Sequence, residues 1–195
     1  VRAESLGDEH PLTGRAWHNL SYELSEDGRL DGALSAAQRS VEIAASAGAP
    51  SPGSAMAQTH LAHVAERAGD LALAWSAAEA ACADYEASYG KTPMTGEAHE
   101  LAGRLARAVG DLEGAETHYH WAIAIAEGAL GMEDPLRISR PIVGLAGVLA
   151  SGGAVDAALG LLDHAAALLE RGGLQGGPQW AAARSAQIAL LEDLG

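Results

Sequence analysis

Glycine returns at a fixed interval along this chain and divides it into repeats of about 42 residues. The markers are Gly28, Gly69, Gly110, Gly153 and Gly195. An alanine follows each of the first four glycines at the same distance, at Ala33, Ala74, Ala115 and Ala158. Self-similarity at such a period is the signature of stacked helical or mixed repeats, so it constrains the fold class before any local pattern is considered.

Each repeat predicts a pair of helices. In the third repeat, residues 96–109 place apolar side chains at three-to-four spacing, which is typical of an amphipathic helix. Gly110 supplies the left-handed geometry that ends this helix, and Asp111 can cap the next one. Residues 112–129 then form a second helix, and Asp134-Pro135 is expected in the connecting loop because proline cannot continue a helix.

The same pattern predicts boundaries along the whole chain. The expected first helices are 13–26, 54–67, 96–109 and 138–151, the second helices are 30–46, 71–88, 112–129 and 155–170, and a final helix spans 179–194. These helices belong to repeats 12–52, 53–94, 95–135 and 136–177 of one array covering residues 1–195. No segment alternates with period two, so no sheet is expected.

Small residues recur where the helices of a pair must approach each other. They are Ser21, Ala62, Gly103 and Ala146 in the first helices, with Ala33, Ala74, Ala115 and Ala158 in the second. Small side chains let two backbones pack closely. The leucines expected to fill the layer between are Leu20, Leu61, Leu105, Leu145 and Leu162.

The first repeat carries the strongest family resemblance. The motif residues are Trp17, Leu20, Ser21, Gly28, Ala33 and Ala37. In this order they resemble the tetratricopeptide repeat, and the period near 42 with its Leu-Gly-x-x-His-Pro loop resembles the kinesin-light-chain variety. The resemblance implies an all-α, right-handed superhelical solenoid of about four helix pairs plus a C-terminal capping or truncated helix. It also implies a protein-interaction role, without indicating the partner.

Composition narrows the class of partner. The net charge is -14 with a pI near 4.8, which argues against binding to a phosphate backbone and favours a basic peptide or protein surface. Cys82 is the only cysteine, so no internal disulfide is possible. The uncharged and mostly apolar stretch of residues 141–155 is shorter than a bilayer span. A cytoplasmic location is therefore the prediction, and the preference for Arg over Lys suggests a bacterial genome.

The resemblance places the first helix of each repeat on the concave surface, and the helical register then predicts which side chains face it. The candidate partner-binding residues are Arg15, His18, Asn19, Tyr22, Thr59, His60, His63, Glu66, Glu97, Glu100, Arg104 and Arg107. Met56 falls on the same face. The resulting groove would accept an extended or helical peptide. The alternative is that these residues are simply solvated helix faces.

The sequence offers little support for catalysis or for a cofactor. His18, His60 and His63 could converge, but their spacing lacks a zinc-binding signature, so a hydrogen-bonding groove or a mild pH response is favoured. No nucleophile elbow, phosphate-binding loop with its lysine or paired-histidine metal helix is present. We therefore expect no enzyme activity, no metal and no cofactor.

Four functions follow as hypotheses. The first is a non-catalytic interaction or scaffold module that binds a peptide or partner domain in the groove. The second is the sensor or substrate-recruiting region of a larger bacterial signalling enzyme, such as a kinase, a signalling ATPase or a caspase-like protease, because the sequence begins and ends within a repeat. An enzyme using the histidines and a self-associating scaffold are the others. The polar side of the last helix, with Arg184, Gln187, Glu192 and Asp193, could act as a solvating cap.

Overall fold

The computed structural model describes residues 7–48, 50–128 and 134–193, and the regular secondary structure in this part of the chain is all helical. It contains nine helices: α1 (Pro11–Glu26), α2 (Leu30–Ser46), α3 (Pro52–Ala68), α4 (Leu71–Tyr89), α5 (Pro93–Val109), α6 (Leu112–Gly128), α7 (Pro135–Ser151), α8 (Val155–Arg171) and α9 (Pro178–Asp193). No strand occurs among the described residues. The all-α prediction of four helix pairs followed by a last helix is confirmed.

The first helix of each pair begins earlier than the sequence predicted. The starting residues are Pro11, Pro52, Pro93 and Pro135. Proline suits the first helical position because that N–H has no partner inside a helix and the ring already holds a helical φ. The assignment of Pro135 to a connecting loop was therefore wrong, since the residue begins α7.

A polar side chain before each of these prolines caps the helix. His10 Nδ1 accepts a hydrogen bond from the Leu12 amide at 3.1 Å, and Ser51 Oγ accepts one from Ser54 at 3.1 Å. Asp134 Oδ1 accepts from Leu136 at 3.0 Å. Such caps satisfy amides that the helix itself cannot, and they hold the start of each first helix in place.

The periodic glycines adopt the geometry that the sequence predicted for them. The φ values of Gly28, Gly69, Gly110 and Gly153 are 75°, 83°, 88° and 85°. An L side chain rarely adopts this left-handed conformation, so glycine is the residue that can turn the chain between the helices of a pair. Gly195, the last of the periodic glycines, lies outside the described residues.

The chain divides into two compact units, residues 1–90 and 91–195. In the first unit, α1 packs on α2, α2 on α3, and α3 on α4. In the second, α5 packs on α6 and each following helix packs on the one before it, ending with α9 on α8. The organisation of all repeats as one array stays a prediction. No helix of the described part is both long enough and apolar enough to cross a bilayer.

The small residues expected between paired helices are all buried, but one of the leucines is not. Leu20 is 44 % exposed, whereas its counterpart Leu61 is 5 % exposed. Helix α3 lies against both α2 and α4, so Leu61 has helices on two sides. In the described part of the chain, α1 packs mainly on α2 and has a smaller contact with α3, which leaves Leu20 exposed. Its assignment to the core was therefore wrong.

Tyr119 replaces a small residue in the third pair. The equivalent positions of α2 and α4 carry alanine, and Tyr119 is 3 % exposed on α6. Its ring fits because glycine faces it from both neighbouring helices. A methyl group built at Gly103 would lie 3.2 Å from the Tyr119 ring, and one at Gly144 would overlap the ring directly. The absence of two side chains thus makes room for one large one.

This packing predicts that Gly144→Ala destabilises the chain. Added volume in a filled layer costs about 1–3 kcal/mol, which exceeds the gain of up to about 1 kcal/mol that alanine brings to a helix. Gly160→Ala is the matched control, because Gly160 lies on α8 with open space around it and should be neutral or stabilising. Urea unfolding would measure both. In a Tyr119→Leu background the cost of Gly144→Ala should shrink, and an unchanged cost would contradict the packing.

Candidate functional site

An open cleft in the first unit has a volume of about 590 Å³ and lies between α1, α2 and α3. Its lining residues are Pro11, Gly14, Arg15, His18, Asn19, Ser40, Ile43, Ala44, Ala47, Ser51, Gly53, Met56 and Ala57. Polar side chains of α1 form one wall, Met56 stands 53 % exposed on the other, and the floor is mostly aliphatic. An apolar floor with a few convergent polar groups is typical of a ligand site.

Close approach of α1 and α2 creates the floor of the cleft. A methyl group built at Gly14 would lie 3.0 Å from Ile43 Cγ2, so a larger residue at this position would push the two helices apart. On the opposite wall, Gly53 and Ala57 are small and leave the space above the floor empty. The cleft therefore follows from small residues on α1 and α3 that face a larger aliphatic residue on α2.

Two predicted site histidines meet above the cleft. The rings of His18 on α1 and His60 on α3 have centroids 4.3 Å apart and are tilted by 44°. His60 Nε2 lies 2.9 Å from Ser21 Oγ, and that hydroxyl lies 2.7 Å from the Ala33 carbonyl oxygen. Because the Ser21 hydroxyl donates its one proton to the carbonyl, it accepts from the Nε2–H of His60. This chain of hydrogen bonds joins three helices.

The surroundings keep both imidazoles neutral. Burial lowers the pKa of His60 to about 4, and the nearby His18 and His63 contribute in the same direction. Burial also lowers the pKa of His18, with a further contribution from the Arg15 guanidinium. With its Nε2 occupied by Ser21, His60 acts as a hydrogen-bonding element between the helices.

The other first-unit candidates lie outside the cleft lining. Thr59 Oγ1 donates to the Ala55 carbonyl oxygen of its own helix at 2.9 Å. Tyr22 and His63 are exposed, and Glu66 is partly buried. A partner-binding role for these four residues stays a prediction. Arg15, His18 and Asn19 are the candidates that the structure brings together around one cavity.

Two candidates of the second unit form ion pairs with α7. Arg137 Nη1 lies 2.8 Å from Glu97 Oε1, and Arg140 Nη2 lies 2.9 Å from Glu100 Oε1. Burial raises the pKa of Glu100, while Arg140 opposes that rise. The two carboxylates thus have partners within the chain.

Arg104 and Arg107 complete the second-unit candidates. Both are exposed on α5. A methyl group built at Gly147 of α7 would lie 2.8 Å from Arg107 Nη1, so that guanidinium extends over the glycine. Neither arginine lines a described cavity, and their role in partner binding stays a prediction.

These ion pairs fill the position that is open in the first unit. The equivalent cleft, lined by Gly96, Glu97, Glu100, Ile125 and Arg140 among others, holds only about 30 Å³. Counted from the proline that begins each helix, Arg140 of α7 occupies the position that Ala57 occupies on α3. One repeat junction is therefore closed by its own side chains, while the other is open.

The helical register does not predict the floor of the open cleft. Ser40, Ile43, Ala44 and Ala47 lie on or just after α2, a second helix, and the register had assigned ligand contacts to first helices only. Two signals were available in the sequence. Gly14 marks a close helix approach, and Ala57 replaces an arginine found at the same place in α7.

A second histidine pair occurs in the other unit, and no pattern in the sequence had indicated it. His99 of α5 is buried, and its Nδ1 lies 3.0 Å from Nδ1 of His118 on α6. Trp121 stacks on His99 with centroids 6.0 Å apart, and Lys91 Nζ lies 4.9 Å from the Trp121 centroid. Trp121 is nonetheless 42 % exposed.

Solved structures with the same succession of helix pairs are similar over most of this chain. One contains nearly identical TPR-like repeats from a Podosopora anserina protein described as a kinesin light chain. It is 21 % identical, with a TM-score of 0.78, and the match covers 94 % of this chain and 87 % of that one. This chain has the TPR-like repeat fold.

Two further TPR-like structures agree. A second crystal structure of the Podosopora protein is 22 % identical with a TM-score of 0.77, covering 95 % of this chain and 94 % of that one. BtubC (BKLC) from P. vanneervenii is 20 % identical with a TM-score of 0.74, covering 85 % of this chain. This chain spans 65 % of the BtubC chain. No family model and no curated protein matches the sequence.

The environment of His60 predicts a specific loss of stability in acid. The unfolded chain protonates this histidine near its ordinary pKa of 6.5, whereas the folded chain does so near 4. Between these values the unfolded state binds more protons, so stability falls as the pH falls from 6.5 to 4. Because the ring is only partly buried, we expect a loss of roughly 1 kcal/mol.

Urea midpoints between pH 7 and pH 4.5 would measure this loss. His60→Gln should reduce the acid sensitivity, and the exposed His164→Gln of α8 should leave it unchanged. An unaltered pH profile in His60→Gln would contradict the assignment.

The Arg140–Glu100 pair predicts a stability loss that becomes smaller in acid, whereas His60 causes a loss that appears in acid. In Arg140→Gln the partly buried Glu100 loses its partner, which should cost about 1 kcal/mol at pH 7. Because burial raises the pKa of Glu100, protonation on acidification should remove part of that cost as the pH falls towards 5. Thermal unfolding at pH 7.5 and pH 5 would test this.

The Arg137–Glu97 ion pair supplies the control for this experiment. Both partners of the Arg137–Glu97 pair are well exposed, so Arg137→Gln should change stability by less than about 0.5 kcal/mol at either pH. Equal costs for the two arginine variants would show that Glu100 has no special dependence on its partner. The double variant Glu100→Gln/Arg140→Gln should recover most of the stability lost in Arg140→Gln.

Proposed function

We propose that this chain is a non-catalytic protein-interaction module and that the open cleft of its first unit binds a short segment of a partner protein. The observation that carries the proposal is the contrast between two equivalent junctions. One is closed by Glu97, Glu100, Arg137 and Arg140, and the other holds about 590 Å³ of open space. A cleft of this size accommodates several side chains.

The lining of the cleft favours a particular kind of segment. Arg15 is the one charged residue in the lining, and a guanidinium binds a carboxylate well. Ser51 and Gly53 lie at the start of α3, where free amides and the helix dipole also favour negative charge. Met56 and the alanines beneath it favour an aliphatic or aromatic group. We therefore expect a carboxylate beside an apolar side chain.

This local preference differs from the expectation based on net charge. The overall charge of -14 favours a basic partner, and that attraction would act on the surface as a whole. Inside the cleft, the guanidinium of Arg15 supplies a local positive charge, which favours an acidic group. A partner segment with an acidic group that enters the cleft and basic residues outside it would satisfy both.

The absence of a catalytic role is part of the same proposal. TPR-like repeats typically act by binding, and the first-unit histidines are engaged in holding helices together. The hydroxyl that His60 contacts is that of Ser21, and its proton is donated to the backbone. Scaffold activity, a cytoplasmic location and a bacterial origin stay predictions.

Filling the cleft with the residues of its closed counterpart tests the proposal. His18→Glu combined with Ala57→Arg copies the Glu100–Arg140 pair into the first unit. Peptides would be selected with the wild-type chain from a random library, and their affinities measured by fluorescence anisotropy. We expect micromolar binders that lose roughly tenfold or more in affinity for the filled cleft, and a similar loss with Arg15→Ala.

Two comparisons decide the outcome. Gln38→Ala changes an exposed residue of α2 outside the cleft and should leave affinity unchanged. Circular dichroism would show that each variant remains helical. If the library yields no binder, or if its binders retain full affinity for the filled cleft, the proposed site is wrong.

A further inference from the structure

Helix α9 presents two large aliphatic side chains to solvent. Ile188 is 57 % exposed and Leu191 is 52 % exposed. The sequence had suggested Arg184 and Gln187 for the solvent side of a cap. The structure instead turns them towards α8, where Arg184 Nη1 lies 3.0 Å and Gln187 Nε2 lies 2.9 Å from Asp163 Oδ1. Their part in a solvating cap stays a prediction.

The contacts between α9 and α8 show which face of α9 is buried. Ala183 is fully buried in a cluster with Ala165, Ala166 and Leu168 of α8. Ala183 is the sixth residue of its helix, counted from Pro178, and Ala57 is the buried sixth residue of α3. Helix α9 therefore packs on the preceding helix with the face that α3 also buries.

In the other first helices, the face that corresponds to the exposed face of α9 packs against the second helix of the same pair. Counted from the initial proline, Ile188 corresponds to Ser21, Ala62 and Gly103, and Leu191 to Leu24, Ala65 and Ala106. Ser21 bonds to the backbone of α2, and a methyl group at Gly103 would lie 3.3 Å from the Ala115 carbonyl oxygen of α6. Leu24 Cδ1 would lie 3.4 Å from a methyl group at Gly32 of α2.

We propose that this face of α9 is a docking site for an alanine-rich amphipathic helix with the pattern of the chain's own second helices. Such a helix would continue the packing of the chain, because the same face is covered in α1, α3 and α5 within their units. Ile188 is larger than the residues it corresponds to. The incoming helix must therefore present a small residue opposite Ile188, as α2 presents Ala33 to Ser21.

The charges at the end of α9 fit an antiparallel partner. Glu192 and Asp193 lie in the last turn, where negative charge is unfavourable for the dipole of α9 itself. An antiparallel helix would place its positively polarised N-terminus beside these carboxylates. The paired helices of this chain have the same arrangement, with the end of each first helix next to the start of the second.

Supplying such a helix tests the proposal directly. Residues 29–46, which include α2, would be appended after Gly195 of the full chain. Docking should raise the Tm by roughly 4 °C or more and slow amide hydrogen exchange in α9. The matched control appends the same segment with the copies of Ala33 and Ala37 changed to glutamate, which should give neither effect.

The outcomes that would overturn the proposal are distinct. An appended α2 segment that leaves the Tm and the exchange of α9 unchanged would show that the face does not accept this helix, and an equal rise with the glutamate control would show that packing is not responsible. A third outcome that would overturn the proposal would come from light scattering of the unmodified chain. If it is a dimer that Ile188→Asp converts to a monomer, a second copy occupies the face instead.

Discussion

Close contact between the two helices of each pair is the interaction on which the rest of this structure depends. In the first pair, Gly14 lies against Ile43, and the Ser21 hydroxyl reaches the α2 backbone at 2.7 Å. In the third, Gly103 leaves room for the Tyr119 ring. Small residues let the apolar stripes of two helices meet without a gap, and this burial stabilises helices of this length. Larger residues at these positions would separate the helices and remove the surfaces built on them.

A few side chains determine whether the equivalent junction between helices is an open cleft or is closed. Arginines from α7 cross to Glu97 and Glu100 and occupy the space in the second unit. In the first unit, Ala57 is too short to do so, and Arg15 stands in place of Glu97. Function in this fold is thus determined by side chains at repeated backbone positions, because the backbone itself recurs with little change.

Periodicity predicted most of the fold, and local chemistry explains where it failed. The glycine period placed the turns correctly because the left-handed backbone at Gly28 and Gly110 requires glycine. The helix starts were missed because proline was interpreted only as a helix breaker, although it is well suited to the first position. At the candidate site, the register selected Arg15 and Asn19, which line the open cleft, and their role in binding stays a prediction. It could not identify the floor, because the contribution of Ile43 depends on how closely two helices approach, a distance that spacing along one helix does not determine.

Thiol labelling at matched positions would test the central claim most directly. Ala44 lines the open cleft and Ala126 lines its closed counterpart. The native Cys82 is buried, and burial raises its pKa to about 12, so it should remain unlabelled in the folded chain. The account predicts that Ala44→Cys reacts with a maleimide roughly tenfold or more faster than Ala126→Cys. Equal labelling rates, in chains whose Cys82 stays protected, would contradict it.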